Sequence, residues 1–329
     1  TTADENTAVG SFCLSSNTTG SVNTAVGAKA LSTNATGSSN VAIGYEALQM
    51  NTGSSNTAVG MRALEENTTA DNNTAVGKDA LTSNTTGTSN VAVGPSALDA
   101  NTTGSQNIAM GHNALGAMTT GVDNTAVGHS SQASATTTSK CTSIGYDSLK
   151  NNVTGTRNTA VGFMALLNAT DVNNTAIGCN AGDNITTGTE NICIGRAASA
   201  SSATVDNEIT LGNSNHSALR CNVQTISSLS DARDKTNVID LPEGLDFINK
   251  LKPVKFEWAT RDGNGKDGLY EHGFIAQDLQ AAQKENNADY LNMVLDENPD
   301  RLEASYGKLV PILVNAIKEL STKVTALEA

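Results

Sequence analysis

The strongest constraint on this chain is a period. Glycines that follow a small apolar run recur at Gly10, Gly27, Gly44, Gly60, Gly77, Gly94, Gly111, Gly128, Gly145, Gly162, Gly178, Gly195 and Gly212, each 16 or 17 residues after the last. The text around them recurs too. Asn23-Thr24-Ala25-Val26-Gly27 precedes Ala30-Leu31, Asn73-Thr74-Ala75-Val76-Gly77 precedes Ala80-Leu81, and Asn107-Ile108-Ala109-Met110-Gly111 precedes Ala114-Leu115. Thr-Ala-Val is a short β-prone run. Glycine permits a bend that a β-carbon obstructs, and clusters such as Asn84-Thr85-Thr86-Gly87 are turn chemistry. A period of 17 is too short for a helical-pair repeat and irregular for heptads, so it predicts one β-solenoid turn per repeat. At about 4.8 Å per stacked strand, the repeats predict a rod roughly 60 Å long.

The interior of such a rod is thin. Aromatic residues make up 3% of the chain, and each coil offers only Val, Leu and a few Ala. This predicts several chains sharing one axis, a homotrimer with Val and Leu meeting at the centre. A formal charge of −13 argues against a nucleic-acid partner, which needs a basic face. No apolar run approaches the roughly 20 residues of a membrane span. Cys13, Cys141, Cys179, Cys193 and Cys221 lie far apart without zinc spacing and read as small hydrophobes. No metal or cofactor is expected. His112, His129 and His216 read as surface residues, and Glu46, Asp79 and Asp147 as a solvated face without the paired carboxylates of a glycosidase. Asn17, Asn34, Asn67, Asn84, Asn101, Asn152, Asn168, Asn184 and Asn215 stand in Asn-x-Thr/Ser, a pattern that turn composition alone creates. The chain opens Thr1-Thr2-Ala3 without Met and is read as a piece of a longer protein.

The repeat gives way to a different composition, with boundaries expected at 1–226 and 227–329. The second segment holds seven of the eleven aromatics and four of the five prolines. It predicts a small α+β domain: a helix over 243–251, a strand over 254–258, a turn at Asp262–Gly265, a returning strand over 270–275, a helix over 276–286 and a short strand at 293–295. In the tail, Tyr306, Val310, Leu313, Ile317, Leu320, Val324 and Leu327 alternate steps of four and three, a heptad seam that predicts a coiled-coil helix for three chains.

Two resemblances sharpen this reading. The Asn-Thr-Ala-Val-Gly and Asn-Val-Ala-Ile-Gly units, over most of residues 6–212, resemble the repeats of trimeric autotransporter adhesin heads, which form a left-handed parallel β-roll in trimers. Four ordered pieces closely resemble the intramolecular chaperone of phage tail spikes and fibres, the S74 peptidase family: Ser230-Asp231-Ala232-Arg233-Asp234-Lys235-Thr236-Asn237-Val238, Leu251-Lys252-Pro253-Val254-Lys255-Phe256-Glu257-Trp258, Gly273-Phe274-Ile275-Ala276-Gln277-Asp278 and Tyr306-Gly307-Lys308-Leu309-Val310-Pro311. That resemblance implies a domain that trimerises, guides folding of the β-structured trimer before it, and then cuts itself off. It implies Ser230 as nucleophile, Lys235 as general base and a cut at Leu229-Ser230. Asp231 and Arg233 would shape the site, and His272 would lie near it as an auxiliary group. Asp234 stands where the family usually has an apolar residue.

The expected protein is therefore a viral tail-fibre appendage on the virion surface, made in the host cytoplasm. Its β-solenoid would meet a host-surface glycan or receptor. A trimeric bacterial adhesin head and a polysaccharide-degrading tail spike are the alternatives.

Overall fold

A computed structural model describes residues 3–216, 219, 230–259, 267–296 and 302–328. The chain forms two compact units, Thr1–Asn213 and Ser214–Ala329. The boundary expected at 226/227 lies outside the described residues.

The first unit is a parallel β-solenoid. Thirteen three-residue strands, from β1 (Thr7–Val9) to β13 (Ile209–Leu211), hydrogen-bond in sequence order into one parallel sheet. Each strand pairs in register with the equivalent residues one coil on, as Thr24↔Val41, Ala25↔Ala42 and Val26↔Ile43. The glycine after each strand is obligatory. Gly77 has φ +140°, and a Cβ there would lie 2.5 Å from the carbonyl oxygen of Gly94 in the next coil. The period thus records a close backbone approach as well as a bend.

The interior differs from the expected one. The middle alanine of the strand and the Ala-Leu pair point inward, and Ala25, Ala30, Leu31, Ala92, Ala97 and Leu98 are fully buried within their own chain. The leucines reach this core from left-handed backbone, Leu31 at φ 51° and Leu98 at φ 52°. The branched residue before the glycine faces outward, with Ile43 41% and Ile177 44% exposed. Val and Leu therefore do not meet at a shared centre: they lie on opposite sides of the strand wall, because period-two alternation sends Ala inward and its neighbours out.

Asparagine supplies the order that large side chains would otherwise provide. One column precedes the strands. Asn40 takes a hydrogen bond from Asn56 N at 2.9 Å and donates its side-chain amide to Gly53 O at 2.9 Å. A second column runs through the turns, where Asn84 Nδ2 donates to Gly87 O and to Asn67 Oδ1, each at 2.9 Å. Asn40, Asn56, Asn67, Asn84 and Asn101 are fully buried. Buried amides are costly unless paired, and stacking like on like pairs them through the coils above and below, except where the turn column meets Met118 and Asn101 Oδ1 is left without a partner. The apolar core is interrupted near one coil, where Ser131, Gln132, Ser143 and Ser148 take Ala and Leu positions and form a buried polar cluster, with Ser131 Oγ 2.7 Å from Ser143 Oγ and 3.0 Å from Ser148 Oγ.

The second unit is α+β. Helix α1 (Leu245–Ile248), strands β14 (Val254–Glu257) and β15 (Tyr270–Gly273), helix α2 (Ala276–Glu285), strands β16 (Val294–Leu295) and β17 (Glu303–Ala304) and helix α3 (Leu309–Glu328) follow in order. β14 and β15 form the expected antiparallel hairpin, while the turn expected at 262–265 lies outside the described residues. β16 pairs with β17, a two-residue strand too short to read from sequence. The core gathers Phe247, Leu279, Met293, Leu309 and Ile312.

Candidate functional site

Ser230 begins a tight turn. Asp231 caps a 3₁₀ helix over Ala232–Asp234, its carboxylate accepting from Arg233 N at 2.9 Å, and Lys235 closes the turn by donating its N–H to Ala232 O. The Arg233 guanidinium grips the same carboxylate, with Nη2 at 2.6 Å and Nε at 3.1 Å from Oδ2. These bonds hold the Asp231 carboxyl below the usual carboxylate range and the guanidinium above its own. The turn brings Lys235 Nζ to 2.5 Å from Ser230 Oγ and 3.4 Å from Ser230 O. A serine five residues before a lysine thus becomes a hydroxyl–amine pair by the geometry of one short helix. Both residues are exposed. Leu229 lies outside the described residues.

The other motif pieces assemble elsewhere in the unit. Tyr306 leaves the heptad seam: it sits in a 3₁₀ turn before α3 and packs edge-on against Phe274, with ring centroids 5.7 Å apart. Its hydroxyl accepts from Phe274 N at 3.2 Å, and a Cβ on Gly273 would come within 2.5 Å of that oxygen. This explains a glycine at the end of β15 and joins the third and fourth motif pieces. His272, on β15 opposite Lys255, is exposed, and no contact among the described residues joins it to Ser230 or Lys235.

Helix α3 has two apolar faces. Leu309, Ile312 and Ala316 are buried against the unit, and Asn315 donates to Leu241 O at 2.8 Å and to Glu243 O at 3.2 Å. The seam residues Val310, Leu313, Ile317, Leu320, Val324 and Leu327 all remain exposed. The seam is thus not the surface by which the helix packs on its own unit. Pro311 is the third residue of α3, where its missing N–H costs nothing.

Several solenoid side chains take places the sequence did not indicate. Glu46 and Asp79 are ion-paired, not freely solvated: Lys29 Nζ lies 2.7 Å from Glu46 Oε1 and Arg62 Nη2 2.6 Å from Asp79 Oδ1, each bridging one coil to the next. Asp147 is buried and pairs with Lys150 Nζ at 2.9 Å. His112, His129, Tyr146 and Phe163 stack as a ladder on the surface, with centroids 5.1, 5.1 and 5.4 Å apart. The signal was present in the sequence, since all four directly follow a repeat glycine. Cys141 and Cys193 are buried in the core, and burial pushes the Cys193 thiol up to about 11, whereas Cys179 is exposed. Cys221 lies outside the described residues.

Residues 230–287 match the family model described as chaperone of endosialidase. Over 64 residues the chain is 44% identical to a protein described as uncharacterized protein VP1, from Micromonas pusilla reovirus. That match takes in 19% of this chain and spans only 3% of the viral protein's length. No solved structure matches the chain. The stretch that begins at the Ser230–Lys235 contact and runs through the β14–β15 hairpin and α2 is therefore similar to the chaperone-of-endosialidase family, and it follows a parallel β-solenoid in the same chain.

Proposed function

We propose that this chain is a viral appendage protein whose C-terminal unit assembles three copies, guides the solenoid to its register and removes itself by cutting at Leu229-Ser230. The observation that supports it best is the 2.5 Å contact between Lys235 Nζ and Ser230 Oγ at the first residues of the matched stretch. A serine hydroxyl becomes a nucleophile when a neighbour takes its proton. Lys235 takes the Oγ proton as Oγ attacks the Leu229 carbonyl carbon. It then returns that proton to the Ser230 nitrogen as the peptide bond breaks, leaving an ester. Water hydrolyses the ester to a Leu229 carboxylate and restores the Ser230 hydroxyl. A lysine serves as base only when neutral, a state that burial or a nearby cation favours. Both residues are exposed on the single chain, so the burial comes from neighbouring chains, and cutting follows assembly.

Two surfaces are available for three chains. One is the exposed α3 seam. The other is the outward Thr-x-Val side of the solenoid sheet, where Val26, Ile43, Val76, Ile144, Ile177 and Ile194 form an exposed apolar column. The mature solenoid would serve host attachment. Intact mass and light scattering test the reading together. Wild-type protein should give a trimer of chains ending at Leu229, and Ser230→Ala a full-length trimer. A fragment ending at Leu229 from Ser230→Ala rejects the nucleophile, and monomers of either form reject the assembly.

A further inference from the structure

The Asn-x-Thr pattern acquires a meaning from the fold. Asn34, Asn67, Asn84, Asn101 and Asn152 each occupy the first position of this pattern, and all five are fully buried. The side-chain amides of the first four carry the turn ladder, and that of Asn152 donates to Gly155 O at 2.9 Å. Asn67 Nδ2 donates to Ala70 O at 2.9 Å and to Asn51 Oδ1 at 2.6 Å. Asn84 Nδ2 donates to Gly87 O and Asn67 Oδ1, and Asn101 Nδ2 to Gly104 O at 3.0 Å and Asn84 Oδ1 at 2.8 Å. In these three residues both N–H bonds of the amide are in use. The neighbouring space is equally committed: a Cβ on Gly87 would lie 2.2 Å from Gly104 O and 2.6 Å from Asn84 Oδ1.

N-glycosylation replaces one amide N–H by a bond from nitrogen to the anomeric carbon of a sugar. The proton departs, and the lipid pyrophosphate of the oligosaccharide donor is the leaving group. On a ladder asparagine this removes one of two hydrogen bonds and inserts a sugar where a single methyl group does not fit. The acceptor threonines tell the opposite story. Thr36, Thr69, Thr86, Thr103 and Thr154 are exposed, and on the unfolded chain every sequon is open. The pattern is therefore recognisable before folding and unreachable after it.

We infer that N-glycosylation and the solenoid fold exclude each other at these five asparagines, and that this chain folds in a compartment free of oligosaccharyl transfer, such as the cytosol of a eukaryotic cell. The exclusion rests on the solenoid alone and holds whether or not Ser230 cuts the chain.

The test expresses the full chain in eukaryotic cells with and without an added secretion signal, then treats each product with a broad protease. Sites are mapped by peptide mass. The cytosolic chain should give a resistant solenoid with no sugar. The signal-bearing chain should carry sugar at ladder asparagines and lose the resistant core, and blocking transfer with tunicamycin should restore that core. A resistant core carrying sugar at any of the five asparagines overturns the exclusion. A signal-bearing chain that accumulates resistant and unmodified without the inhibitor overturns the compartment assignment. Failure of tunicamycin to restore the core assigns the loss to something other than the sugar and also overturns the proposal.

Discussion

At the scale of single residues, stacking converts polar side chains into structural ones. Asn84 is the clearest case, because its amide donates to Gly87 O and Asn67 Oδ1 while its Oδ1 accepts from Asn101 Nδ2. Asn84→Ala orphans groups on two neighbours and opens a small void. The expected loss is roughly 2–4 kcal/mol, at about 1–3 kcal/mol for an unsatisfied buried group, read as a lower midpoint in denaturant. Thr86→Ala, on an exposed neighbour in the same turn, should change stability by less than about 0.5 kcal/mol. At the other end of the chain, Asp231 shapes the turn that carries Lys235 to Ser230. Asp231→Asn keeps an N-cap but loses the ion pair with Arg233. The proposed self-cleavage should slow by about 10- to 100-fold, the scale of a misplaced catalytic group, with the oligomeric state unchanged. The sign with pH follows from the lowered Asp231 carboxyl: its contribution is present above the unfolded value of 3.8 and is lost as pH falls through the folded one. The residues of the pair were legible in the sequence as a motif, whereas the ladder was not. Asn, Thr and Gly clustered together have the composition of an exposed turn. Only the fixed position of Asn84 and Asn101 within the period marks them as stacked and buried.

At the scale of elements, α3 separates two roles that one heptad pattern had merged. Ile312 lies in the unit's own core, while Leu313, the next residue along, is 43% exposed. Ile312→Ala should cost about 2–5 kcal/mol as a buried cavity and melt the C-terminal unit early. Leu313→Asp with Ile317→Asp should leave that unit's secondary structure intact and abolish the proposed trimer, seen as monomer mass in light scattering. A trimer surviving the double substitution would remove α3 from the interface. The helices and the hairpin were readable because period and alternation are local signals. The strand β17 (Glu303–Ala304) was not, since two residues carry no period and pair only by tertiary proximity. The sheet wall gave a partial reading. The strands were evident, yet Leu was expected beside Val at a shared axis, whereas Leu fills the chain's own core together with the smallest residue of Thr-Ala-Val, and Val faces outward.

At the scale of the whole molecule, the solenoid is a one-dimensional stack in which each coil contacts its neighbours alone. Such a stack tolerates loss of a whole coil and not of half a coil. Removing Pro95–Gly111 deletes one 17-residue period and joins Gly94 to His112. The new neighbours are still Ala on Ala and Leu on Leu, with Asn90 on Asn124 before the strand, while in the turn Met118 follows Asn84 as it follows Asn101 in the full rod, and the ladder from His112 to Phe163 is untouched. The shortened rod should keep its strand signal per residue and lose about 4.8 Å of length in solution scattering. Removing only the first half of that period, Pro95–Thr102, puts Leu where Asn belongs and sets glycine against side chains. That shift places each Cβ against a backbone carbonyl, as at Gly77 and Gly94, so the half-coil deletion should yield insoluble or protease-sensitive chains. Equal behaviour of the two deletions would mean that like-on-like stacking is not what holds the coils in place. The same indifference to a whole period gives a folding chaperone something to do: between identical chains, a slip of one full coil preserves nearly every contact, so the register has to be set from one end.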